Sequence, residues 1–230
     1  MRIITTRNGL RLSQHGVVIS ELRTTPGPTH SVFDVLAALV AVLAPAGRVG
    51  VLGFAGGGMM APLRGLGWER RIESVDLERT GHELFQRHCP AWAGGVRWAQ
   101  GDAVEWLRRQ RGRFALLLED LSIPRDGDVI KPAVSWEVLP GLMLRRLRPG
   151  GVGLANLLRP TSGRWSPDLP RLAAGYATAR VVEFDEFENR ILVGGDELPS
   201  ARELGRSLRA ALRQVRSRQA GRIRVRHIGS

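Results

Sequence analysis

Cysteine is almost missing from this sequence: Cys89 is the only one in 230 residues. A single thiol excludes an intramolecular disulfide framework and any zinc site built on cysteines, and it suits a reducing cytosol. Histidine is sparse too. The five residues His15, His30, His82, His88 and His227 form no recognisable ligand pair, so no metal is expected. Lysine is reduced to Lys131 against 33 arginines, a bias that genome composition alone can produce. Long apolar runs are lacking as well. The longest, Val35 to Ala46, falls short of the ~20 residues needed to cross a bilayer. Met1 to Arg7 carries no signal-peptide core. The expectation is a cytoplasmic protein with no membrane span.

What the chain does have is material for a core. Hydrophobic residues make up 43% and charged residues 24%, the balance of a soluble globular protein. The length favours one α/β domain with a small appendage over two full domains. The net charge of +12 is unevenly placed. Residues 201–230 hold nine arginines against one acid, Glu203, and the remaining 200 residues are only +4. The basic excess therefore belongs to a tail.

Leu10-Arg11-Leu12-Ser13 and Val17-Val18-Ile19-Ser20 flank a Gln14-His15-Gly16 turn, the pattern of a small β-hairpin. Thr25-Pro26-Gly27-Pro28 breaks the chain, and Phe33, Leu36, Leu39, Val40 and Leu43 predict a helix from about Ser31 to Leu43. From Arg48 onward, strands and helices alternate. Apolar runs lie at Val49–Leu52, Ile72–Val75, Val96–Ala99, Phe114–Leu118 and Val152–Leu154, with helical stretches near 58–66, 79–88, 103–111 and 133–147. Ala179–Phe184 and Arg190–Val193 suit a closing hairpin. Such alternation predicts an α/β fold, a Rossmann-like doubly wound sheet. The expected organisation is an N-terminal hairpin and lead-in at 1–29, a ligand-binding domain at 30–200, and a basic amphipathic helix and tail at 201–230.

The chemistry gathers at the expected carboxyl ends of the strands, where open α/β sheets bind ligands. Val49-Gly50-Val51-Leu52 runs into Gly53-Phe54-Ala55-Gly56-Gly57-Gly58. Such a loop lets backbone approach a ligand near a helix N-terminus, although glycines also serve packing. Asp76 ends the second strand, 23 residues after Gly53. It suits an acceptor for both ribose hydroxyls, or an N-cap. Gly101-Asp102-Ala103 follows the third strand, where the aspartate could reach an adenine amine or cap the next helix. Glu119-Asp120 follows the fourth. Each acid alone has a structural explanation; acids after three successive strands point to a site. His30 follows the Pro-Gly-Pro turn and could line it, although a lone histidine often has a structural role. Cys89 and Ser122 have no evident activating partner.

This order of glycine loop, Asp76, Gly101-Asp102-Ala103 and Glu119-Asp120 resembles the class I methyltransferase fold, and specifically its spermidine synthase-like branch, over about residues 8–195. The resemblance extends to the N-terminal hairpin, to Pro26-Gly27-Pro28-Thr29-His30 and to Asn189-Arg190-Ile191-Leu192-Val193. It implies seven strands with the last antiparallel. It further implies that Gly53, Ala55 and Gly57 pass the methionine part of an S-adenosyl ligand. Asp76 would meet the ribose, Asp102 and Ala103 the adenine, Leu77 and Glu119 would border the ligand, and Asp120 would stand as the catalytic aspartate. Polyamine synthases of this branch carry an acid inside the glycine loop, where this chain has Gly56, and another before the loop proline, where it has Ile123. Burying a diamine without carboxylate partners costs several kcal/mol. The expected activity is therefore methyl transfer from S-adenosylmethionine to a small-molecule acceptor. The alternatives are aminopropyl transfer from decarboxylated S-adenosylmethionine and a non-catalytic nucleoside-binding or scaffold role.

In the tail, Leu204, Leu208, Ala211, Leu212 and Val215 share one helical face opposite Arg202, Arg206, Arg209, Arg213 and Arg216. A docked helix with a solvated arginine face is expected, so nucleic acid should bind only weakly through it. Arg222 to Arg226 alternates with period two, consistent with an edge strand, an oligomer contact or a disordered end. A homodimer is left open.

Overall fold

The computed structural model describes residues 2–160, 163, 165 and 168–228. Strands β1 (Arg2–Thr6), β2 (Gly9–Gln14) and β3 (Val17–Arg23) form an antiparallel sheet in that order. His15 and Gly16 have φ of 48° and 80° in the connecting turn, the left-handed geometry that tight hairpins need. The two-stranded hairpin expected from the sequence is thus three-stranded. All five residues of β1 are exposed, so no burial alternation marked it. Leu10, Leu12 and Leu22 on the inner side join the main core.

Helix α1 (Val32–Leu43) starts at Ser31, whose side chain accepts from the Phe33 N–H, and is buried from Phe33 to Val40. The alternating region follows as β4 (Val49–Leu52), α2 (Met60–Gly65), β5 (Ile72–Asp76), α3 (Thr80–His88), β6 (Val96–Gln100), α4 (Ala103–Arg109) and β7 (Phe114–Glu119). A short hairpin, β8 (Ile123–Arg125) and β9 (Asp128–Ile130), precedes α5 (Ala133–Glu137), α6 (Leu139–Arg146) and β10 (Leu147–Leu157). The chain ends with α7 (Asp168–Ala173), β11 (Thr178–Phe184), β12 (Arg190–Gly195), α8 (Ala201–Gln214) and β13 (Ile223–His227). The single helix expected over 133–147 is two, divided at Val138 ahead of Pro140. Proline lacks the N–H that would continue the first helix.

The main sheet has the order β13-β11-β12-β10-β7-β4-β5-β6. Strands β10, β7, β4, β5 and β6 are parallel, and β12 runs antiparallel between β10 and β11. The seven strands expected from the sequence are joined by an eighth, because Ile223–His227 pairs antiparallel with Arg180–Phe184. Strand β7 is buried at all six residues, as befits a central parallel strand covered on both faces. Successive strands leave β4 in opposite directions across the sheet, to β5 on one side and β7 on the other. That crevice is where such sheets bind ligands. Among the described residues, no helix is long and apolar enough to cross a membrane.

From Ser200 to His227 the tail is built into the fold. Ser200 and Glu203 form a capping box on α8. Leu204, Leu208 and Leu212 are fully buried within the main core alongside α1. Arg222, Arg224 and Arg226 pair with Glu186, Asp185 and Glu183 of the β11–β12 hairpin. Leu208→Ala should therefore destabilise the fold by about 2–5 kcal/mol, whereas Arg206→Ala on the exposed face should stay within ~0.5 kcal/mol. Denaturant unfolding of both variants checks this; equal small losses would mean that α8 is not docked.

Candidate active site

Strand β4 ends against β7. The Gly53 N–H donates to the Val75 carbonyl at 3.0 Å and the Asp120 N–H to the Leu52 carbonyl at 2.8 Å. Gly53 has φ +89°, and a Cβ there would lie 2.6 Å from the Asp120 carbonyl oxygen. Both its conformation and the close approach require glycine. Asp76 then fixes the loop. The N–H groups of Phe54 and Ala55 both donate to its Oδ2 at 2.7 Å, and the Glu78 N–H donates to Oδ1 at 3.0 Å. These charge-assisted bonds hold Ala55 at φ +45°, a left-handed conformation costing about 1–2 kcal/mol for a side-chain-bearing residue. A carboxylate has about four acceptor positions. With three backbone donors already bound, Asp76 has about one acceptor position left. Leu77, the next residue, is 61% exposed and gives this edge an apolar face.

Asp102 takes the capping role: the Glu105 N–H donates to its Oδ1 at 2.9 Å. Its other oxygen is uncommitted among the described residues. Ala103, the first residue of α4, is buried beneath it.

The two adjacent acids at the end of β7 have opposite fates. Glu119 is 1% exposed, and its Oε1 accepts from Lys131 Nζ at 2.7 Å, Ser135 Oγ at 3.0 Å and the Leu121 N–H at 2.9 Å. Lys131 Nζ also donates to the Leu121 carbonyl at 2.7 Å. Glu119 Oε2 is buried without a partner among the described residues, and Glu119 borders a cavity of about 20 Å³ shared with Tyr176, Met143 and Leu172. Glu119 therefore turns into the interior and, with Lys131, ties together the two ends of the β8–β9 hairpin; the expectation that it borders a ligand finds no exposed oxygen to support it. No motif pointed to Lys131. Its one signal was being the sole lysine among 33 arginines. A compact ammonium suits this convergence of donors on one oxygen better than a planar guanidinium.

Asp120 instead is partly exposed, just past the carboxyl end of β7. Its Oδ1 accepts from Asn156 Nδ2 at 2.7 Å, and Asn156 Oδ1 accepts from Asn189 Nδ2 at 3.0 Å. Burial pushes its pKa up to about 6; Lys131 and the Asn156 bond oppose that rise, while Glu119 and Asp76 add to it. Such a group is ionised at neutral pH and still basic, the condition for general base work.

His30 has φ +63° and is held on three sides. Its N–H donates to Asp34 Oδ2, its carbonyl accepts from Gln219 Nε2, and its Nδ1 accepts from the Arg218 N–H. It fastens the lead-in of α1 to the tail. Cys89 is buried, donates to the Arg23 carbonyl, and has its pKa raised by burial to about 11, which leaves the thiol inert.

No family model matches the sequence, and no curated protein aligns with it significantly. Solved structures do match. A probable spermidine synthase from Corynebacterium glutamicum aligns over 98% of this chain and 86% of its own at a TM-score of 0.70 and 16% identity. Spermidine synthase from Thermotoga maritima aligns over 86% of this chain and 69% of its own, at 0.64 and 13%. Human methyltransferase-like protein 13, in complex with SAH, aligns over 82% and 92%, at 0.62 and 18%. The chain has the spermidine synthase-like class I methyltransferase fold.

Within this fold, the glycine-loop position where the resemblance places an acid is packed over by side chains of the N-terminal sheet. A Cβ on Gly56 would lie 2.5 Å from Leu22 Cδ1, 2.8 Å from Leu12 Cδ1 and 3.0 Å from Ser20 Oγ. The N-terminal sheet has filled that space with leucine.

Asp120 and Lys131 give opposite stability expectations. The folded pKa of Asp120, about 6, lies above its ordinary value of 3.8, so the fold favours the protonated form. Its stabilising contribution is complete below pH 4 and is lost as pH rises through 6. Asp120→Asn should therefore raise stability at pH 7 by about 1–3 kcal/mol, with the gain vanishing near pH 4. Lys131→Met strands the buried Glu119 charge and should cost about 3–5 kcal/mol, most of it recovered in Lys131→Met/Glu119→Leu. Denaturant unfolding between pH 4 and 8 checks both.

Proposed function

We propose that this chain is an S-adenosylmethionine-dependent methyltransferase built on the spermidine synthase-like fold and acting on a small acceptor. The observation that carries this reading is the contrast between two parts of one crevice. The nucleoside side keeps its glycine loop, Asp76, Leu77 and Asp102, whereas the amine-gripping positions are Gly56, packed over by Leu12 and Leu22, and Ile123, 38% exposed on β8. A dicationic diamine would have no carboxylate there to offset its desolvation. Aminopropyl transfer is correspondingly disfavoured.

The residues present fit the cofactor. Leu77 would cover the adenine, the free oxygen of Asp102 would accept from its amine, and Asp76 would accept from a ribose hydroxyl. The cofactor supplies an electrophilic methyl group on sulfonium sulfur. This chain's contribution is to hold the acceptor beside Gly53 and to take its proton on Asp120. Positioning of this kind accounts for much of the rate in a bimolecular displacement. An acceptor that is a neutral O–H or N–H nucleophile suits a single carboxylate base. A cytoplasmic setting belongs to the same proposal, as does weak, salt-sensitive contact of the arginine face with nucleic acid.

Titration calorimetry with S-adenosylhomocysteine, methylthioadenosine and a nicotinamide dinucleotide tests the ligand class. S-adenosylhomocysteine should bind most tightly. Preference for methylthioadenosine would favour aminopropyl transfer, and preference for the dinucleotide would overturn the assignment. Once a mass-spectrometric product screen finds an acceptor, Asp120→Asn should keep nucleoside affinity and lose ~100-fold in turnover.

A further inference from the structure

We propose that Asn156 is the positioning residue for Asp120, itself oriented by Asn189, so that the carboxylate presents Oδ2 alone to the acceptor's proton; this rests on Asp120 being the base in the reaction proposed above. Asn156 is 5% exposed on β10, the strand beside β7, where Ala155 pairs with Glu119. Its neighbours Leu154 and Leu157 are fully buried. An amide among such residues demands partners, since an unsatisfied buried polar group costs about 1–3 kcal/mol.

The partners fix its direction. A carboxylate can only accept, so the NH2 of Asn156 must face Asp120 Oδ1 at 2.7 Å. Its Oδ1 then receives Asn189 Nδ2 at 3.0 Å. The network thus leaves no choice of amide orientation. Two amide dipoles stand in series with their positive ends toward the carboxylate, and such chains polarise one another in a low-dielectric interior. Other charged groups around Asp120 are Lys131 from the β9–α5 connection, Glu119 on β7 and Asp76 on β5. Lys131 is already engaged by Glu119 and the Leu121 carbonyl. Among the described residues, Asn156 is the one side chain that donates directly to Asp120.

The readout is the carboxyl carbon titration of Asp120 by NMR in the full chain, assigned through its loss in Asp120→Asn. Asn156→Leu removes the donor and should raise the Asp120 midpoint by about one pH unit or more. Because position 156 is buried, a second variant guards against misfolding. Asn189→Asp, at a half-buried position, sets a carboxylate against Asn156 Oδ1 and should turn that amide round, offering its oxygen to Asp120 and raising the midpoint by a similar amount. Asn189→Ala, which only removes the outer dipole, should shift it by less than about half as much. An unmoved midpoint in folded Asn156→Leu, or in Asn189→Asp should the first variant fail to fold, overturns the proposal. Calorimetry with S-adenosylhomocysteine on the wild-type chain keeps the two readings apart. Failure to bind overturns the transfer reading, whereas binding with an unmoved midpoint overturns the positioning role alone.

Discussion

The carboxylate of Asp76 is the fastening on which the carboxyl edge of this sheet depends. By taking the N–H groups of Phe54 and Ala55 on one oxygen, it joins the end of β5 to the loop leaving β4. The glycine loop is thereby held tight enough for Gly53 to lie against the Asp120 carbonyl. Two bonds from backbone to an anion offset the left-handed conformation of Ala55, whose cost is about 1–2 kcal/mol. The residue that would meet a ribose is the same one that shapes the loop, so binding and folding draw on one set of lone pairs.

Adjacent carboxylates at the end of a buried strand create an electrostatic problem, and the fold solves it by separation. Strand geometry sends neighbouring side chains to opposite faces. Glu119 goes inward, where Lys131 neutralises it and in doing so anchors the β8–β9 hairpin. Asp120 goes outward, with one amide donor and no ammonium of its own. One acid is thus quenched for structure while the other is left ionisable just past the carboxyl end of β7, with a pKa raised toward the range in which it can exchange protons.

The N-terminal sheet and the C-terminal tail look peripheral in the sequence but are both packed into the main body. Leu12 and Leu22 fill the space beside Gly56, converting what the resemblance makes an amine-binding corner into core. Arg218 and Gln219 reach back to His30, and the arginines of β13 spend their charge on acids of the neighbouring hairpin. Much of the tail's basic excess is consequently a matter of local pairing and solvation.

The sequence by itself determined the fold class, because buried parallel strands must be runs such as Phe114–Leu118 and amphipathic helices must repeat their leucines as 204, 208 and 212 do. It also determined where the acids fall, since position after a strand is a property of local order. It did not reveal β1, whose five exposed residues carry no burial signal, or the division of 133–147, where Pro140 competes with an otherwise helical pattern. The assignment of Arg222–Arg226 to the main sheet, the inward turn of Glu119 and the Asp120–Asn156–Asn189 chain were decided only by tertiary structure. Each depends on which residue of a distant strand lies opposite, and a hydrogen bond across 33 or 36 positions exists only once the strands are aligned.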